Sequence, residues 1–171
     1  MSGTSTIRIL ALAAVLGLSA CATARPRLAP AHPDEAAILS VVDRFMDAVS
    51  NNDAALFSEI RLEGGFTIVE RPGESGGTLV TRRVFKPDGG RRGAYRERYW
   101  DPTVLVRGSI AVVWTPYEFW IDGKTTHCGI DVFDMLKERG VWRIANAMWT
   151  VEPDACAALR PADPTRLRPV R

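Results

Sequence analysis

Two residues in the last third of the chain carry side chains that could move a proton. Asp131 stands between Ile130 and Val132 in an apolar run, and His127 precedes it by four positions. A carboxylate in such a run must be hydrogen-bonded, protonated or directed into a wet cavity. A histidine that shares a proton with a carboxylate can act as a general base. Asp131 and His127 are therefore the candidate catalytic residues; a satisfied structural carboxyl and a half-exposed strand histidine are the alternatives.

Three long strand-like runs must position these side chains. β-branched and aromatic residues dominate all three, and each junction carries a glycine dipeptide suited to a two-residue hairpin turn. The runs are residues 109–122, 125–137 and 141–152, joined at Asp122-Gly123 and Arg139-Gly140. Because apolar residues fall on both faces, we expect an antiparallel meander that is covered on each side.

Two-residue hairpins at both junctions determine which residues face one another. His127 then lies opposite Glu118, and Asp131 lies opposite Trp114 and Met148. The resulting face combines aromatic walls with a few convergent polar groups, as a ligand pocket requires. Besides the catalytic pair, the expected ligand-binding residues are Trp114, Glu118, Tyr99, Phe133, Asn146 and Met148. A β-bulge or a longer turn would move part of this set to the opposite face.

Two helices and shorter strands precede the meander. Asp34 can cap a helix whose apolar stripe runs from Ile38 to Val49, and Asp53 can cap a second, short helix. Strands are expected over residues 66–70, 78–85 and 95–106. Pro116 indicates a bulge or an edge position, because proline cannot donate to a ladder. This order predicts an α+β, cone-shaped roll in which a strongly curved antiparallel sheet wraps around the N-terminal helices.

The first 21 residues resemble a bacterial lipoprotein signal. Arg8 precedes an apolar run over 9–18 that is too short to span a bilayer as a stable helix. Residues 18–21 read Leu-Ser-Ala-Cys, which is similar to the lipobox and implies lipidation of Cys21. An ordinary cleaved signal with a chance cysteine is the alternative. The resemblance implies an anchor in the outer membrane that faces the periplasm, so the membrane is an expected partner.

The chain is long enough for one folded domain with short flanking segments. The expected organisation is a signal peptide over 1–20, a flexible tether over 21–33, the domain over 34–153 and a Pro/Arg-rich tail over 154–171. The arginines of the tail lie among prolines, and we expect them to be solvated.

Several chemistries lack the residues that they need. One histidine with scattered carboxylates does not have the spacing of a zinc or two-metal site, so no metal is expected. A glycine-rich loop that opens a helix after a strand is missing, and no cofactor is expected. Ser58 and Ser109 have no evident base partner for hydrolase chemistry. A net charge of +2 gives no reason to expect nucleic acid.

The domain resembles the nuclear-transport-factor-2-like (NTF2-like) superfamily over residues 34–152. The resemblance rests on Phe-Met-Asp-Ala-Val at 45–49, Asn-Asp-Ala at 52–54 and Gly-Val-Trp-Arg-Ile at 140–144. Tyr-Glu-Phe-Trp at 117–120 and His-Cys-Gly at 127–129 look closest to its polyketide-cyclase-like and lumazine-binding-like branch. The superfamily includes isomerases, dehydratases and non-catalytic binding domains, so the resemblance implies the cone fold more strongly than any chemistry.

Cys128 and Cys156 are the cysteines that remain once Cys21 is lipidated. An oxidising compartment permits a disulfide between them, and closing about 29 residues would stabilise the fold by roughly 3.5 kcal/mol. A buried Cys128 with a free Cys156 is the alternative.

Three functions follow from these expectations. The first is a lipid-anchored binding or accessory domain that holds a small aromatic or hydrophobic ligand in its cone. The second is a dehydratase or isomerase that uses Asp131 or His127 as the base. The third is a homodimeric module without a ligand, which pairs through a convex face expected to carry Val113, Phe119, Val132 and Trp149.

Overall fold

A computed structural model describes residues 32–74, 76–84 and 93–168. The predicted signal peptide, Cys21 and most of the predicted tether lie outside the described residues. Within the described part, no helix combines the length and apolarity needed to cross a membrane.

Two helices open the domain, as predicted, but the Asp34 side chain makes no capping hydrogen bond and pairs with Lys137 instead. Helix α1 (Glu35–Asn51) buries one apolar stripe and ends at Asn52, whose φ of 54° places it in the left-handed region. Helix α2 (Ala54–Ile60) begins at Asp53, whose carboxylate accepts a hydrogen bond from the Leu56 amide.

Seven strands form one curved sheet. They are β1 (Phe66–Pro72), β2 (Thr78–Val84), β3 (Tyr95–Tyr99), β4 (Thr103–Arg107), β5 (Ile110–Ile121), β6 (Lys124–Glu138) and β7 (Val141–Thr150). The strand order is β2-β1-β7-β6-β5-β3, and β4 also pairs with β5. All pairs are antiparallel except β1 with β7. With α1 packed against β3 and β7, this is the predicted α+β roll.

The two predicted hairpin turns are confirmed. Asp122 and Gly123 have φ of 52° and 77°, and Arg139 and Gly140 have φ of 52° and 84°. Two consecutive residues with positive φ make the turn type that matches the twist of the flanking strands. The loops contain two residues each, since Ile121 pairs with Lys124 and Glu138 pairs with Val141.

Two β-bulges change the register that the turns alone would set. On β6 the register shifts beside Phe119, where the pairing moves from His127 to Thr125. On β7 it shifts beside Asp134, whose partner is Asn146, while the next residue pairs with Ile144. Beyond each bulge the side chains exchange faces, because one extra residue reverses the alternation.

The predicted strand over 95–106 is wrong in one respect, because it is broken in two. Asp101 has a φ of 47° and Pro102 follows it, so the ladder stops between β3 and β4. The two halves pair with opposite ends of β5, with Tyr99 opposite Tyr117 and Thr103 opposite Trp114.

The concave face of the sheet is filled by α1 and by the sheet's own side chains. Phe45 meets the rings of Phe57 and Phe133 edge-on, at centroid distances of 5.3 and 5.0 Å. Trp142 and Ile144 lie beside them and are at most 3% exposed. The centre of the cone is therefore a packed core.

Part of the C-terminal segment is docked on the sheet, and its described arginines form ion pairs although Arg160 and Arg166 are exposed. Cys156 in helix α3 (Cys156–Leu159) forms a disulfide with Cys128 on β6. The indole nitrogen of Trp100 donates to the carbonyl of Leu159. Beyond α3, residues 160–168 form a C-terminal strap that meets the end of β3, where Leu167 bridges to Trp100 and the Arg168 amide donates to the Tyr99 carbonyl.

Candidate functional site

A pair of carboxyl groups lies inside the cone. Asp131 on β6 is 2% exposed and Glu97 on β3 is 6% exposed. Asp131 lies directly opposite Thr115 on β5, and Glu97 lies opposite Phe119 on the same strand. The Asp131 and Glu97 side chains interact with each other by hydrogen bond. Two acids in such contact must share at least one proton.

Burial keeps the carboxyl pair protonated near neutral pH. Desolvation raises the pKa of Glu97 to about 8, and the hydrogen bond from Asp131 opposes part of that rise. Desolvation also raises the pKa of Asp131, and the charge of Glu97 adds to the effect. Asp131 Oδ2 is buried and has no hydrogen-bond partner. The pair is thus a neutral, buried group with an unused acceptor.

Tyr117 on β5 borders the carboxyl pair. Its hydroxyl donates to the Thr150 carbonyl at 2.7 Å, and burial together with the charges of Asp131 and Glu97 raises its pKa. Gly129 makes room for this ring, because a Cβ there would lie 2.9 Å from Tyr117 Cε1. Tyr117 is consequently held in its neutral form, and its hydroxyl proton is already donated to the Thr150 carbonyl.

His127 lies on the same face as Asp131 but contacts a different set of groups. Its ring stacks on Phe119 at 5.3 Å and meets Tyr117 edge-on at 5.7 Å. Its Nδ1 is 2.9 Å from the Thr126 hydroxyl. Burial lowers the pKa of His127, with a further contribution from the charge of Arg71. The histidine is therefore neutral near pH 7.

The predicted single face of the pocket is divided between the two sides of the sheet. Trp114 and Met148 lie on the outer face and are 51% and 43% exposed. Asn146 also belongs to the outer set; its amide donates to Asp134 and its carbonyl accepts from Phe66 N. Two bulges are the reason. The one on β6 shifts the partner of Asp131 on β5 from Trp114 to Thr115, and the one on β7 shifts its partner there from Met148 to Trp149.

Glu118, predicted beside His127, is buried on the outer side under α3. Its carboxylate is 0% exposed and accepts hydrogen bonds from Arg98, Arg160 and Thr125. These bonds lower the pKa of Glu118 against the opposing effect of burial. The nearby sulfurs of Cys128 and Cys156 are joined to each other, so this group is a structural clamp for α3 and not a set of metal ligands.

Two of the predicted ligand-binding residues do lie inside the cone. Phe133 is 1% exposed and belongs to the packed core. Tyr99 is also 1% exposed, and its hydroxyl donates to Asp43 Oδ1 at 2.7 Å. The ring of Tyr99 and the carboxyl of Glu97 border a cavity of about 60 Å³ between α1 and β3. Other residues that line it are Asp43, Met46, Asp47, Arg98 and Arg168.

Sequence reasoning missed three residues of this site. Glu97 alternates with Tyr95 and Tyr99 along β3, so this alternation alone could have placed it on the same inner face as the two tyrosines. Asp43 sits on α1 one position after the apolar Val42, so helical spacing gives no sign of its contact with Tyr99. Arg168 is 125 residues from its partner Asp43, and nothing local predicts that pairing.

Comparisons with known proteins agree on the fold. A protein from Novosphingobium aromaticivorans, described as NTF2-like with a cystatin-like fold, is 16% identical and superposes with a TM-score of 0.53, covering 74% of this chain and 86% of that one. A Mycobacterium tuberculosis protein of unknown function is 18% identical, with a TM-score of 0.56 and coverages of 75% and 79%. An NTF2-like superfamily protein from Salmonella enterica is 15% identical, with a TM-score of 0.52 and coverages of 66% and 87%.

No protein-family model matches the chain, and no curated protein matches it. At identities this low the structural likenesses establish the fold alone. The chain is thus a domain of the NTF2-like, cystatin-like fold with a buried pair of carboxyl groups in its cone.

Proposed function

We propose that this chain is a small-molecule-binding domain of the bacterial cell envelope, in which Glu97 and Asp131 are the recognition groups. The observation that carries the proposal is the unpartnered Asp131 Oδ2 inside the cone. Burying an unsatisfied carboxyl oxygen costs roughly 1–3 kcal/mol, and a second acid beside it adds to that cost. A ligand that donates a hydrogen bond would satisfy the oxygen.

The protonation state of the pair favours binding over catalysis. A general base must be ionised near the working pH, whereas burial raises the pKa values of both Asp131 and Glu97. His127 is neutral, but its polar contact is with Thr126. The pair is equipped to donate and accept hydrogen bonds, which is the property that a binding site uses.

The geometry also changes the class of ligand from the one expected. The sequence predicts a small aromatic or hydrophobic ligand, but the centre of the cone is packed by Phe45, Phe133 and Trp142. The cavity that Glu97 borders holds about 60 Å³, and charged side chains border it together with Met46 and Tyr99. Drug-sized ligands occupy several hundred Å³, so the proposed ligand is small and polar.

Native mass spectrometry of the protein purified from its own host tests the proposal. We expect a small polar molecule to co-purify with the wild type, and Glu97→Gln and Asp131→Asn to lose it while keeping their circular dichroism spectra. Glu63→Gln, a change at an exposed residue, is the control and should retain the molecule. Wild-type protein that carries nothing, or a ligand retained by both carboxyl variants, would contradict the proposal.

The proposed location is the outer membrane, through lipid on Cys21. The Leu-Ser-Ala-Cys sequence at 18–21 supports it, as does a disulfide, which persists in an oxidising compartment. We expect Cys21→Ser to move the protein from the membrane fraction to the soluble fraction and to abolish labelling by radioactive palmitate. An unchanged membrane fraction in that variant would refute the anchor.

A second candidate, homodimeric assembly, is favoured by the outer face of the sheet. Trp114, Val132, Met148 and Ile68 are paired in one row across β5, β6, β7 and β1. Leu105 and Ile110 extend this apolar surface and are 65% and 58% exposed. A sheet with an uncovered apolar face can bury it against the same face of a second copy.

A further inference from the structure

Two arginines line the cavity between α1 and β3, namely Arg98, which pairs with Glu118, and Arg168. One guanidinium nitrogen of Arg168 lies 2.8 Å from Asp43 Oδ2, and the guanidinium carbon lies 5.1 Å from the centroid of the Tyr99 ring. The backbone holds the strap independently, since the Arg168 amide donates to the Tyr99 carbonyl at 2.9 Å. The side chain of Arg168 therefore enters the cavity from a strap that is fixed at its backbone.

The groups around this guanidinium are those that recognise cations. A carboxylate and an aromatic face together bind ammonium and guanidinium ions by charge and by the ring quadrupole. The Tyr99 hydroxyl donates to Asp43 Oδ1 at 2.7 Å and so fixes the carboxylate that contacts the cation. Asp47 lines the same cavity.

Glu97 supplies an independent sign that a cation belongs here. Glu97 lines the cavity and is 6% exposed. Its side chain interacts with Asp131, whose own Oδ2 has no partner. Among the described residues, burial and Asp131 shift the pKa of Glu97, and no positively charged group contributes to the shift. Glu97 is protonated while it has no positive partner, and a cationic ligand beside it would lower its pKa and pair with the resulting carboxylate.

We infer that this cavity is a site for the charged end of an organic cation, an amine or a guanidinium, and that Arg168 occupies it when no ligand is bound. The inference rests on the proposed function and names the chemical class of its ligand. Because Arg168 is tethered, its effective concentration is in the range of millimolar, and a ligand must compete with it. The side chains of Arg168 and Asp43 are 35% and 31% exposed, so their pair is weak enough to be displaced.

Titration calorimetry with agmatine, a small molecule with both an ammonium and a guanidinium end, tests the inference. Arg168→Ala removes the internal competitor but leaves the backbone hydrogen bond to Tyr99. We expect this variant to bind agmatine at least tenfold more tightly than the wild type. Adding Asp43→Asn should weaken binding to Arg168→Ala by tenfold or more.

The control is Arg166→Ala, in the same strap. Arg166 pairs with Asp101 and is not among the residues that line the cavity. It should bind agmatine as the wild type does. Equal affinities of wild type and Arg168→Ala, or no effect of Asp43→Asn, would overturn the inference. Arg168→Gln, which keeps more of the side chain, replaces Arg168→Ala if the latter fails to fold; if neither folds, Arg168 is a structural contact and the inference is wrong.

The two proposals fail in different ways. An uncharged co-purifying molecule that is lost in Asp131→Asn, with no agmatine binding to Arg168→Ala, would remove this inference and leave the proposed function. Agmatine binding that needs Asp43 but is unchanged by Glu97→Gln and Asp131→Asn would support the cation site and remove the carboxyl pair as its recognition group.

Discussion

At the scale of single residues, the most informative feature is an acid pair that the fold holds in the protonated form. Asp131 and Glu97 come from strands on either side of β5 and are brought together only by the pairing of β3 and β6 with it. No basic group contributes to the pKa shift of either carboxyl. Such a pair adds little to stability, which is the reason to assign it a function.

The acid pair predicts a pH dependence of stability with a definite sign. The pKa of Glu97 rises from its ordinary value of 4.5 to about 8 in the folded protein, so the folded state binds more protons than the unfolded state between those values. The free energy of unfolding must then fall as pH rises across that window, by up to roughly 1.4 kcal/mol per pH unit for each such group. Asp131, with its pKa also raised, acts in the same direction.

Urea denaturation at pH 5, 7 and 9 measures this slope. We expect the urea midpoint of the wild type to fall as pH rises. Glu97→Gln should make this fall smaller, so that the midpoint of the variant exceeds that of the wild type most at pH 9. The other groups that face Glu97 from neighbouring elements, Asp43 and Asp47 on α1 and Arg168 in the strap, are unchanged in that variant. Glu63→Gln should keep the wild-type slope. A wild-type midpoint that stays level or rises from pH 5 to pH 9 would contradict the assignment.

At the scale of elements, the sequence predicts the type and order of nearly every segment because each carries a local signal. The cap at Asp53, the helical stripe and the two glycine turns act over a few residues, and the structure places helices and hairpins where they indicate. Fold class follows from this order, since helices followed by a long meander can bury their apolar faces in few other ways.

The site could be predicted only in part because it depends on register. Turns with two residues give the correct pairing beside each turn, such as Ile121 with Lys124, but a bulge then shifts the partner of Asp131 by one residue. Bulges have no strong local signal, and Pro116, which suggested one, lies three residues from where the register shifts. Asp131, His127 and Tyr99 remain inside the cone, while Trp114 and Met148 move outside.

At the scale of the whole molecule, the sheet has one face filled by helices and another that is only partly covered. Helix α3 packs over β5 and β6 near the disulfide, and the apolar row that contains Trp114 and Met148 lies beyond it. The sequence predicted a convex face with Val113, Phe119, Val132 and Trp149, but Val113 is fully buried inside and Val132 belongs to the outer row. The shifted register explains the difference.

Homodimerisation through that face can be tested with one substitution. We expect the wild type to sediment as a dimer and Trp114→Glu to sediment as a monomer, because a charge at the centre of a buried apolar contact is costly. Leu79→Glu is the matched control. Leu79 is 51% exposed, as Trp114 is, but its register places it on the opposite face of edge strand β2. A monomeric wild type, or a dimer that survives Trp114→Glu, would contradict the pairing.

The bond between Cys128 and Cys156 has a consequence for how the chain matures. Three thiols can combine in three ways, and only one of these combinations clamps α3 to β6. An acyl group on the sulfur of Cys21 would take that thiol out of the competition before oxidation begins. Attachment of lipid would then leave Cys128 and Cys156 as the one pair of thiols that can be oxidised to a disulfide within the chain.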